Sequence, residues 1–212
     1  MKHIQKQPTP QFFINDTAGL TDWARYNSTK KRRLKGYILA KEQFELCCYC
    51  EKSVTASSSH VEHIEPKSND VLRLTFDYNN LLVSCEGNHF NEIGDNSKNT
   101  CGHKKDNDFD EVKFLNPITV IDISDYFVFD SDTGLIGASD KDTKKATYTL
   151  GILNLNGKND KLAEARKNAK EAFIRNFPQL PLEDKKQKLR EFLDNDGQEF
   201  ITFFRYVFKN LV

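Results

Sequence analysis

Residues 61–68 are VEHIEPKS, a stretch flanked on both sides by cysteines. His60-Val61-Glu62-His63-Ile64 reads as a short strand that Pro66 ends. Neighbours on a strand point to opposite faces, so Glu62 and His63 address different surroundings, while His60 shares the Glu62 face. Upstream stands CCYC at 47–50. Downstream stands NNLLVSC at 79–85, whose Leu81-Leu82-Val83 reads as a second short strand, and then CGHKK at 101–105. Between them, residues 86–100 (EGNHFNEIGDNSKNT) form a polar insertion that reads as a loop. The whole segment 47–115 is rich in Cys, His, Asn, Asp and Ser. A module that buries so little apolar area needs a staple, and metal is the natural one.

The cysteines point the same way. There are five (Cys47, Cys48, Cys50, Cys85 and Cys101), three of them within four positions. An odd, crowded set is a poor disulfide framework and in a reducing compartment signals metal. Cys47 and Cys50 have knuckle spacing, and Cys85 with Cys101 would complete a closed, structural four-thiolate zinc site. His89 competes for the fourth position. Cys48 reads as a packed free thiol, with exchange for Cys47 as the alternative. A redox pair at Cys47 and Cys50 is a third reading, in which no metal binds.

Around this centre the chain is more conventional. Residues 1–12 look extended and poorly specified. The helical pattern begins at Asp16, with Thr17 or Thr21 capping a short helix that carries Leu20 and Trp23. A second helix, capped by Ser28 or Thr29, runs to about Leu46 and delivers the chain to the cysteines. It carries the run Lys30, Lys31, Arg32, Arg33 with Lys35, which is a phosphate-holding patch or only a solvated helix face. After Val112, residues 118–123 and 126–129 read as strands, with a turn at 130–134 before Leu135-Ile136. Helices follow at about 142–152, 160–177, 182–194 and 197–211. The aromatics of the last one (Phe200, Phe203, Phe204, Tyr206, Phe208) read as packing or as a partner contact. If that helix docks a partner, deleting residues 198–212 abolishes a complex; if it is core, deletion unfolds the chain.

The 212 residues suit one domain or a core with appendages, here 1–46, 47–115 and 116–212. Net charge is zero, so the chain as a whole is no polycation. No apolar run has membrane length and the N-terminus has no apolar leader core, so a cytoplasmic protein without membrane contact is expected. The expected class is α+β: a small ββα-metal module embedded in a mostly helical chain.

The ordered set CCYC, VEHIEPKS, NNLLVSC and CGHKK resembles the HNH endonuclease family, with its zinc-stapled ββα-metal fold. FELCCYC with Glu51, DYFVFDSDTGLI, and TLGILNLN through Arg166 extend the likeness to the nuclease subunit of Septu-type anti-phage systems, also found beside retrons. The resemblance implies phosphodiester hydrolysis with His63 as general base. It implies His103 and Glu62 as ligands of a catalytic Mg²⁺ or Mn²⁺, with His89 or His60 as substitutes. Asn80 would fix the loop that orients His63, and Lys104 and Lys105 would contact flanking phosphates of DNA or RNA. In many family members the closing His directly follows a Cys, whereas here Gly102 intervenes. The resemblance further implies an ABC-type ATPase partner and, in a retron setting, a reverse transcriptase with its msDNA. The rival reading is a zinc-stapled nucleic-acid or protein binding module without catalysis. His3 is assigned no role.

Overall fold

Two antiparallel strands and a short helix occupy the middle of the chain, with helices before and after them. The computed structural model describes residues 1–87, 98–158 and 161–211, with Val71 and Leu72 described by backbone alone. Strand β1 (Ser59–His63) pairs with β2 (Leu81–Cys85), setting His60 opposite Ser84 and His63 opposite Leu81. Between them lie the short helix α3 (Val71–Leu74) and a 3-10 turn at Tyr78–Asn80. Helix α4 (Cys101–Lys105) follows β2 and packs on it. The α+β class holds, with the strand pair and α4 in the order expected. The expected loop at 86–100 lies for the most part outside the described residues.

The N-terminal part is better specified than its composition promises. Met1 and Ile4 are buried, and Ile4 N–H donates to the Pro117 carbonyl at 2.8 Å. Helix α1 (Gln11–Thr17) starts earlier than expected, because the Pro10 carbonyl accepts from Phe13 and Ile14 and Phe13 packs edge-on against Tyr26. Trp23 sits in a separate 3-10 turn (Trp23–Arg25) capped by Asp22. Helix α2 (Ser28–Ile38) is capped by Asn27, whose side-chain oxygen accepts from Lys30 N–H at 2.9 Å. Asn ranks with the best N-caps, so the cap falls one residue before Ser28. α2 runs into a π turn at Leu39–Gln43, ended by Phe44 in the left-handed region.

Downstream, β3 (Phe127–Phe129) and β4 (Ile136–Ala138) form a small hairpin. The strand expected at 118–123 is absent; turns stand there, leading into a 3-10 turn at Ile123–Tyr126. The reason is local. The Asn116 carbonyl accepts from Thr119 and Val120, its side chain accepts from Ile118, and among the described residues no neighbouring strand competes for these groups. Helices α5 (Thr143–Leu153), α6 (Leu162–Asn176), α7 (Leu182–Leu193) and α8 (Ile201–Phe208) complete the chain. α8 is core: Ile201, Phe203, Phe204 and Phe208 are buried, and the Phe204 ring packs on Phe173 and Phe192. The three segments distinguished in the sequence contribute to one hydrophobic core. Among the described residues, no helix is long and apolar enough to cross a membrane.

Candidate active site and metal centres

The first centre grows from two backbone turns. Cys47 and Cys50 flank a tight turn in which Glu51 N–H donates to the Cys47 carbonyl and Glu51 adopts φ 63°. Cys85 ends β2 and Cys101 opens α4. The four Sγ atoms lie within 4.8 Å of one another and all four residues are buried. Cys50 Sγ and Cys85 Sγ are 3.8 Å apart. An ion held tetrahedrally with Zn–S near 2.3 Å sets its sulfurs about 3.8 Å apart, so the spacing fits zinc. Cys85 N–H also donates to Cys47 Sγ at 3.3 Å, the kind of bond that favours a thiolate. Cys48 stands outside the cluster. It is buried, its N–H donates to the Val83 carbonyl, and burial with Cys47 and Glu62 nearby pushes its thiol pKa well up. His89 lies outside the described residues.

The second centre forms where β1, the end of β2 and α4 meet. One ligand atom each from His60, Glu86 and His103 lies within 4.8 Å of the others. His103 Nε2 is 2.6 Å from Glu86 Oε2, and the His60 and His103 rings are 4.1 Å apart. His60 Nδ1 is shielded from solvent and lies 3.6 Å from the same Glu86 oxygen. Two imidazoles and a carboxylate with ligand atoms this close are a donor set of the kind that holds a divalent transition ion. Burial alone would lower the His60 pKa; Glu62 and Glu86 outweigh it and raise it to about 9.

Glu62 faces this centre but is turned inward. Its carboxylate is 3.1 Å from Lys105 Nζ, accepts from Tyr49 O–H at 2.9 Å, and lies 3.5 Å from His60 Nε2. Burial works against its charge, but Lys105 and His60 prevail and hold its pKa at about 2. Lys105 is fully buried and also donates to the His63 carbonyl at 3.2 Å, so the expected phosphate contact by Lys105 gives way to an internal ion pair. Lys104 is half-buried. Gly102 explains the crowding. A Cβ there would collide with Glu62 Oε2 and His60 Nε2, so the space next to Cys101 is filled by side chains from β1.

His63 lies at the end of β1 with its ring edge-on to Trp23 at 4.7 Å. His63 Nε2 is 3.1 Å from the Thr75 carbonyl. A carbonyl can only accept, so the proton sits on Nε2 and Nδ1 keeps its lone pair. Burial lowers the His63 pKa to about 4, which keeps the ring neutral near pH 7. His63 lines the same groove, about 260 Å³, as His60, Glu62, Lys67 and His103. Asn80 does not touch His63. Its amide donates to the Glu65 carbonyl and its oxygen accepts from Glu65 N–H, both at 2.9 Å, which pins the chain just past β1.

Sequence reading missed Glu86 and the inward role of Lys105, and it ranked His60 second. The signal for Glu86 was the period of two along β2, which carries Ser84 and Glu86 to one face, with Ser84 opposite His60.

No protein-family model matches the chain. It is 37% identical over 121 residues to the candidate HNH endonuclease of retron Vc95 from Vibrio cholerae serotype O1 biovar El Tor; this aligns 54% of the chain with 53% of that protein, about half its length. It is 28% identical over 244 aligned positions to the candidate HNH endonuclease of retron Ec83 from Escherichia coli, covering 97% of the chain and 91% of the relative. Both similarities are to proteins named as HNH endonucleases of retrons, the first over about half of each chain and the second along nearly the whole of this one.

Proposed function

We propose that this chain is a metal-dependent endonuclease that hydrolyses phosphodiester bonds of nucleic acid. The observation that carries the reading is that His63 lines one groove with His60 and His103, the two imidazoles that Glu86 joins in a candidate ligand set. His63 Nδ1 takes the proton of an attacking water, and the Nε2–H bond to Thr75 holds the ring in the required tautomer. Asn80 positions His63 indirectly, by fixing the backbone at Glu65. Lys105 keeps Glu62 ionised beside the cluster. His60, Glu86 and His103 would hold a divalent cation, which when bound supplies Lewis-acid stabilisation of charge on the phosphate oxygens. Two imidazoles and a carboxylate suit Mn²⁺ or a related transition ion better than Mg²⁺. Zinc is the ion proposed for the four thiolates, and a purely structural zinc module needs no second donor set.

The relatives' names and the Septu-type resemblance support a retron setting. A reverse transcriptase with its msDNA and a controlling ABC-type ATPase are the proposed companions, in the cytoplasm. The test is cleavage of plasmid DNA and of RNA by wild type and His63→Ala, with Mg²⁺, with Mn²⁺ and with chelator, alone and with the co-expressed ATPase. Metal-dependent cleavage lost in His63→Ala is expected. Equal cleavage by the two proteins, or none by wild type under any condition, would sink the reading.

A further inference from the structure

The basic run in α2 divides once its contacts are known. Lys30 pairs with Asp16 at 3.3 Å, and the Arg33 guanidinium lies 4.2 Å over the Phe12 ring. These two are occupied on the side facing α1. Lys31 and Lys35 are one turn apart on the same helix face. Lys35 Nζ donates to the Ser59 carbonyl at the start of β1. Lys31 Nζ lies 5.0 Å over the Trp23 ring, and that ring packs on His63. Lys67, exposed just past β1, lines the groove that holds His63 and His103. Burial lowers the Lys31 pKa and Asp22 works against that; Lys67 is near enough to Lys31 to lower it further, and it acts on His63 in the same sense. Among the described residues neither has an ion-pair partner. Asp22 offsets part of the Lys31 charge and Glu86 part of the Lys35 charge; Lys67 stands exposed at the groove, and cations bordering a groove draw an anion to it.

We propose that Lys31, Lys35 and Lys67 form a phosphate-binding strip, bordering the groove on the Trp23 side, along which a nucleic-acid backbone lies as it passes His63. The strip replaces Lys105 as the source of backbone contacts. It rests on the nuclease reading only for its purpose, because binding can be measured without cleavage. Flanking phosphates hold register and orientation and carry no sequence information, so contacts of this kind are indifferent to base identity.

The experiment measures the binding of labelled duplex DNA and of single-stranded RNA to the full chain over a series of KCl concentrations, without divalent metal. Lys31→Gln and Lys67→Gln are compared with wild type and with Lys188→Gln, an exposed α7 position away from the groove. Each lost phosphate contact lowers the slope of log K against log salt by about 0.9 on duplex DNA and about 0.7 on single strands. A drop of that size in both strip variants, with Lys188→Gln like wild type, is expected. Unchanged slopes, or no binding by wild type to either polymer, overturn the strip. Circular dichroism of the variants excludes misfolding as the cause. If wild type cleaves but the slopes do not move, the strip fails and the nuclease reading stands. If the slopes fall but no cleavage is found, the reverse holds.

Discussion

Lys105 Nζ lies 3.1 Å from Glu62 Oε1, and both side chains are shut off from solvent. The pair ties α4, which opens with Cys101 of the cysteine centre, to the strand that carries His63. Breaking one half of a buried ion pair leaves an uncompensated charge, at a cost of roughly 3–5 kcal/mol. Lys105→Met is therefore expected to lower unfolding stability by that order. Lys105→Met with Glu62→Gln should recover much of the loss, because no net buried charge is left. Urea denaturation of the single and double variants checks this. Equal destabilisation of the two would show that the charge pair is not the cause.

Gly102 is expected to tolerate no side chain. In Gly102→Ala the new methyl group meets Glu62 and His60, so one of them must leave its place at the second centre. Weaker divalent-metal binding is expected, by roughly tenfold or more, given what displaced supporting groups cost other sites. Gly151→Ala in α5, where the added carbon meets nothing within 4 Å, should leave metal binding unchanged and stabilise by about 0.4–1 kcal/mol. Titration with Mn²⁺ followed by electron paramagnetic resonance reads the first effect, and thermal melting the second.

The cysteines should separate into four and one. Cys85→Ser is expected to lose one equivalent of bound zinc and to melt well below wild type, because binding to a closed thiolate site contributes directly to folding. Cys48→Ala is expected to keep its zinc. Elemental analysis of the purified variants decides this, and zinc loss in Cys48→Ala would mean that the ligand set is misassigned.

Phe204 is buried between Phe173, Phe192 and Phe208. Phe204→Ala should cost about 3–5 kcal/mol, and deletion of residues 198–212 should unfold the chain rather than merely release a partner. The measurement is circular dichroism of the deleted protein. A folded spectrum would return α8 to the role of a docking element.

Much of this protein could be read from local pattern. The short apolar run at 81–83, the segment 60–64 closed by Pro66, the Cys-x-x-Cys spacing, and the turn residues at 130–134 are each satisfied within a few residues, so strands, knuckle and hairpin turn are legible in one dimension. The ends of helices followed less closely. Asn27 moved the start of α2 by capping Lys30 N–H with its side chain, and Pro10 moved the start of α1 because its backbone carbonyl accepts from Phe13 and Ile14. The strand expected at 118–123 failed for a related reason. β-branched residues favour a strand only where a partner strand exists, and here Asn116 takes the backbone hydrogen bonds first.

What the sequence by itself determined is the chemical inventory: four thiols at ligand spacing, a Glu-His pair on a strand, and a basic run on a helix. Which members of that inventory meet depends on how the strands pair and the helices pack. Glu86 becomes a candidate ligand because the pairing of β1 with β2 and the packing of α4 bring it within reach of His60 and His103, 26 and 17 positions away. Lys105 becomes an internal counter-ion, and not a surface cation, because α4 turns it toward Glu62. Charge and ligand type are written in the chain; burial and neighbourhood, which set pKa and coordination, exist only once it has folded.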